Sequence, residues 1–87
     1  MKRFTVVWRA AAQELLAELW LAADDKAAIQ SAADRIDDVL ARNADSLGAE
    51  TANEMRYVQV ECLDVLFKVS MDDRIARVCA VRPASRP

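Results

Sequence analysis

The sequence predicts a small α+β domain: a helical hairpin packed on one face of a small, mostly antiparallel sheet, in the order β-α-α-β-β-β. Three observations carry this. A short β-branched and aromatic run opens the chain, two stretches of helical periodicity follow, and three alternating segments with short connections close it. The 87 residues suffice for one core. Apolar residues make up 54% and charged residues 30%, a globular composition rather than a disordered one.

The opening run is Phe4-Thr5-Val6-Val7-Trp8, with Phe4, Val6 and Trp8 expected on one face. The period then changes. Between about Ala10 and Ala23, the residues Ala12, Leu15, Leu16, Leu19 and Ala23 fall on one helical stripe, with Trp20 at its border. Asp24-Asp25 breaks the pattern, and either aspartate suits the positive end of a second helix. That helix is expected from about Lys26 to Arg42, with Ile29, Ala32, Ala33, Ile36, Val39 and Leu40 inward. It ends in Asn43-Ala44-Asp45-Ser46-Leu47-Gly48, where the single glycine marks a demanding turn.

Three strands are expected next, at about Met55–Val60, Leu63–Ser70 and Arg74–Val81, joined by Glu61-Cys62 and a turn around Met71-Asp72-Asp73. Val65, Phe67 and Val69 form the better core face of the middle one. A hairpin centred on Asp72-Asp73 pairs Phe67 with Val78, Val65 with Ala80, Val69 with Ala76 and Lys68 with Arg77; a slip of one residue would bury Arg77. Val58 and Val60 join the core. Tyr57, Gln59, Asp64, Leu66, Lys68, Arg77, Cys79 and Val81 are left on an open face, half apolar and half polar. The single domain is expected to span residues 1–82, with 83–87 a loose tail.

Several chemistries are excluded. The net charge of −2 argues against a dedicated nucleic-acid binder. With no histidine, neither a Ser-His-Asp nor a Cys-His arrangement exists. Cys62 and Cys79 alone cannot complete a tetrahedral zinc site, so no metal and no cofactor is expected. Asp72-Asp73 reads as a turn, and Asp34, Asp37 and Asp38 as a solvated helix face. No apolar stretch has the length of a membrane span or a signal peptide, so a cytoplasmic protein is expected.

The order of elements resembles the RelE/ParE superfamily of toxins from bacterial type II toxin–antitoxin systems, the plasmid-stabilisation type. The residues that carry the resemblance are Val6-Val7-Trp8 running into an Ala-rich helix, Glu18-Leu19-Trp20, and Ala32-Ala33-Asp34-Arg35-Ile36 with Leu40. Later come Leu63-Asp64-Val65-Leu66-Phe67-Lys68-Val69, the acidic turn Asp72-Asp73, and Val78-Cys79-Ala80-Val81-Arg82.

The resemblance implies growth inhibition, by cleaving messenger RNA on the ribosome or by poisoning DNA gyrase, and neutralisation by a cognate antitoxin. It implies that the open face is the functional groove. Lys68, Arg77 and Arg82, with Tyr57 as a proton donor, are the positions that match catalytic residues of nuclease members. Leu66, Cys79, Val81 and Gln59 are the expected partner-binding residues. Two departures weigh against a nuclease. Asp64 stands where many members carry a basic residue, and the last residues, Arg82–Pro87, include no tyrosine or histidine. The expected function is therefore a toxin-like component acting through protein contacts on gyrase or another target. A ribosome-dependent messenger RNA endonuclease and a degenerate, non-toxic interaction module are the alternatives.

Overall fold

The computed structural model describes residues 3–50 and 55–84. The first strand, β1, spans Thr5–Trp8 and runs parallel to the last. Helix α1, Ala10–Ala22, follows at once. Its core-facing stripe is narrower than the periodicity suggests. Ala12 is buried and Leu16 and Leu19 pack on the core, but Leu15 and Trp20 are exposed. Those two lie on opposite borders of the stripe, roughly 60° and 80° from Ala12 at ~100° per residue, where a helix resting on a sheet leaves side chains in water.

Asp25 is the N-cap of helix α2, Lys26–Asn43, and its Oδ1 accepts from the Ala28 N–H at 3.1 Å. Lys26 turns back instead, donating to the Leu21 and Ala23 carbonyls at 3.4 and 3.3 Å and lying 5.1 Å from the Trp20 ring centre. Ala32, Ala33, Ile36 and Leu40 are buried as expected. The Trp8 indole N–H donates to Asp37 at 2.7 Å and ties β1 to this helix.

A two-residue strand absent from the sequence reading comes next: β2, Ala49–Glu50, antiparallel to β3, Arg56–Val60. Gly48 precedes it with φ +77°. Then come β4, Leu63–Ser70, and β5, Ile75–Pro83. The sheet order is β1-β5-β4-β3-β2, so β4 is central and only the β1–β5 pair is parallel.

The tail differs from the expectation. β5 continues through Arg82 and Pro83, with Pro83 opposite Leu63, and the Ala84 N–H donates to the Cys62 carbonyl at 2.9 Å. Proline is tolerated at this strand end because no further ladder bond requires its missing N–H. Residues 85–87 lie outside the described residues.

The β4–β5 register holds as expected near the turn, where Phe67 pairs with Val78, Lys68 with Arg77 and Val69 with Ala76. A bulge then intervenes between Leu66 and Phe67. Cys79 is the extra residue, so Leu66 faces Ala80 and Val65 faces Val81, not Ala80. Val81 is therefore a core residue at 2% exposure, buried with Phe67, Val65, Val78, Ile36 and Leu40, and not a residue of the open face.

Candidate functional site

Both helices cover the face of the sheet that carries Phe67. Among the described residues the opposite face has no such cover, and its layout follows from the register. Tyr57, Leu66 and Ala80 sit side by side across β3, β4 and β5. Gln59, Asp64 and Arg82 form the next row towards the β3–β4 turn. Lys68 and Arg77 form a row on the other side, and Val7 of β1 continues it.

The middle of this face is a hollow of about 380 Å³, lined by Tyr57, Asp64, Val65, Leu66, Ala80, Val81 and Arg82. Tyr57 is 40% exposed and forms one wall, Leu66 is half-buried, and Val65 and Val81 belong mainly to the core. A concave, largely apolar patch with a few convergent polar groups is the usual form of a binding site.

Asp64 is only 5% exposed, the one buried charged residue among those described. Its carboxylate makes a single ion pair there, to Arg82 Nε at 3.7 Å. That separation is beyond hydrogen-bond length, and the Arg82 side chain is 71% exposed. The Asp64 oxygens are not among the buried atoms left without a partner, so the hollow gives them access to solvent.

Lys68 and Arg77 are exposed, directly opposite each other, and neither makes an ion pair among the described residues. Like charges in that position repel, which an anionic occupant would relieve.

The structure thus brings Tyr57, Leu66 and Arg82 together around the hollow and places Lys68 and Arg77 beyond it. Gln59 is exposed next to Asp64, its amide donating to the Glu61 carbonyl at 3.3 Å. Cys79 occupies the bulge, half-buried, with its thiol 3.6 Å from the Arg77 carbonyl. Two residues of this face were not assigned to it from the sequence: Ala80, which the bulge moves onto it against simple alternation, and Val7, which alternation sets opposite Val6 and Trp8 and the parallel β1–β5 pairing places beside Arg77. Among the described residues, no three of Cys, Asp and Glu come close enough to hold a metal ion. No described helix is long and apolar enough to cross a membrane.

No protein-family model matches the chain, and no curated protein matches it in sequence. Solved structures do resemble it. The toxin–antitoxin complex RelBE2 from Mycobacterium tuberculosis superposes with a TM-score of 0.77 at 10% identity, over 99% of this chain and 97% of that one. The chromosomal ParDE toxin–antitoxin system of P. aeruginosa gives 0.68 at 12% identity, over 94% and 97%. The chain has the RelE/ParE fold. The fold is not confined to free-standing chains of this size. TrmO from Pseudomonas aeruginosa matches with a TM-score of 0.59 at 21% identity over 94% of this chain but 36% of its own length.

Proposed function

We propose that this chain is the toxin-like component of a toxin–antitoxin pair, bound on its open sheet face by an antitoxin and acting on its target through protein contacts. One observation carries the reading: an apolar hollow around Leu66, Tyr57 and Ala80, uncovered by the helices, in a fold shared over nearly its full length with subunits of two toxin–antitoxin systems. Apolar surface of this kind on a small domain is where a partner docks.

The product of the adjacent open reading frame is the partner to test. It is expected to co-purify with the parent chain, and Leu66→Asp is expected to weaken the complex by about tenfold or more while the fold survives. Titration by calorimetry, with circular dichroism of the variant as the control, reads both. Equal affinity for parent and variant would remove the open face from the interface.

Action through protein contacts, with gyrase as a candidate target, is favoured over RNA cleavage by the chemistry of the same face. A nuclease needs cations where charge builds on the scissile phosphate. Arg82 already lies against a buried carboxylate, and a carboxylate close to a phosphate opposes its binding. The ribosome-dependent endonuclease is the second reading, and its support is the unneutralised Lys68–Arg77 pair. Expression of the chain without its partner is expected to leave transcripts intact, as read by mapping their 5′ ends. Ribosome-phased cuts that disappear in the Lys68→Ala, Arg77→Ala double variant would reverse the choice.

A further inference from the structure

The two edges of the sheet are β1 and β2. An edge presents unpaired N–H and C=O groups to any strand that can reach them, and natural edges are blunted by shortness, charge or proline. β2, with two residues, is blunted by shortness. β1 is not blunted: Phe4-Thr5-Val6-Val7-Trp8 contains no charge, proline or glycine.

The ladder decides which groups of β1 are free. The Thr5 N–H donates to the Arg74 carbonyl at 2.8 Å and the Arg9 N–H to the Val78 carbonyl at 3.0 Å. In this parallel pair, Thr5, Val7 and Arg9 therefore turn their backbone groups towards β5, and Phe4, Val6 and Trp8 turn theirs outward. The Phe4 N–H is taken by the Ala41 carbonyl at 2.8 Å, and the Trp8 carbonyl receives the Gln13 side-chain amide at 3.5 Å. Among the described residues, nothing bonds the N–H and C=O of Val6, the N–H of Trp8 or the C=O of Phe4.

Those free groups are complementary to themselves. We propose that β1 pairs antiparallel with β1 of a second copy of this chain, about a two-fold axis at Val6. In that register Val6 lies opposite Val6, and Phe4 lies opposite Trp8, both as hydrogen-bonded pairs. The N–H and C=O of each Val6 bond to their counterparts, and each Trp8 N–H donates to the Phe4 C=O of the other copy. The groups left out of the new ladder, the Phe4 N–H and the Trp8 C=O, are each other's partners in this register and are already bonded within each chain. Moving the axis to Thr5 or Val7 would leave half of these bonds unmade.

The pairing joins both copies into one sheet, with the helices on one side and the two open faces side by side on the other. Thr5 and Val7, both exposed, come opposite each other at the closely spaced positions between the bonded pairs, where β-branched side chains gain from contact. Arg3 comes opposite Arg9 at each end, and their repulsion limits the interface to this strand. So short a contact buries less than the ~1,000 Å² of a stable complex. The dimer is therefore weak, with a Kd of about 0.1 mM, and tighter at high salt, where the arginines are screened. It does not depend on what occupies the open face.

The test is sedimentation of the full chain between about 10 μM and about 1 mM. Monomer is expected to give way to dimer over that range. Amide hydrogen exchange at Val6 and Trp8 should slow by about threefold or more as the concentration rises, while Thr5 and Val7 are protected throughout. Two double variants at exposed positions fix the register, with circular dichroism as the control for folding. Thr5→Lys with Val7→Lys sets lysine against lysine across the axis and should weaken the dimer by about tenfold or more. Thr5→Lys with Val7→Glu sets lysine against glutamate and should restore it. A chain that stays monomeric up to about 1 mM overturns the inference. So does a dimer on which the two double variants act alike, because its contact would then lie elsewhere. Neither result touches the antitoxin reading, which Leu66→Asp tests on a different surface.

Discussion

Phe67→Ala is expected to remove most of the stability of the domain. Phe67 is fully buried on the central strand, opposite Val78 of β5 and beside the bulge, and it closes the core against Ile36 and Leu40 of α2. Truncating a buried phenylalanine costs about 3–5 kcal/mol, the lost transfer energy plus the cavity left behind. A domain of this size holds only about 5–15 kcal/mol in total, and the low end suits a short chain. In urea, with a slope near ~1 kcal/mol per molar, the midpoint should fall by several molar or the folded baseline should vanish. Arg77→Ala is the control. Arg77 lies one position away in the β4–β5 ladder but exposed on the other face, and it should shift stability by no more than about 0.5 kcal/mol. A Phe67→Ala protein that unfolds like the parent would mean that the two faces of the sheet are exchanged.

The assignment of those faces was legible because charge and period agree over most of β4. Lys68 cannot be in the core, so Phe67 and Val69 must be. Asp25 as the cap and Ala32, Ala33, Ile36 and Leu40 as the inner stripe of α2 were readable for the same reason: local chemistry and packing point the same way.

What escaped was the bulge, and with it the true places of Ala80 and Val81. Simple alternation from Arg77 puts Cys79 and Val81 on the open face, and Val78-Cys79-Ala80-Val81 contains no charge to contradict it. A signal was nevertheless present. Arg77 and Arg82 are five residues apart, an odd number, so a regular strand would send them to opposite faces and drive one into the core. Only an extra residue between them lets both reach water. The exposed Leu15 and Trp20 were less readable, since the width of a helix's buried stripe depends on what it rests against. The strand β2 has two residues and no pattern of its own; it exists because Gly48 delivers the chain alongside Tyr57.

That delivery makes Gly48→Ala the second large effect. Gly48 has φ +77°, where an L-residue with a Cβ is strained by about 1–2 kcal/mol. There is also no space. An added Cβ would lie 2.5 Å from the Tyr57 carbonyl oxygen and 3.1 Å from its carbon. These are backbone atoms of a paired strand, so they cannot swing aside as a side chain could. Relief requires β2 to move away from β3, giving up the Ala49–Tyr57 pairing behind one wall of the hollow. The expected loss is more than about 2 kcal/mol, strain and contact together, measurable in urea. Gly48→Asn separates the two causes. Asparagine tolerates positive φ far better than alanine but carries the same Cβ. If the contact with Tyr57 dominates, the asparagine variant should be nearly as destabilised as the alanine one. An asparagine variant as stable as the parent would show that the close approach of the chain at Gly48 is not what holds β2 against β3.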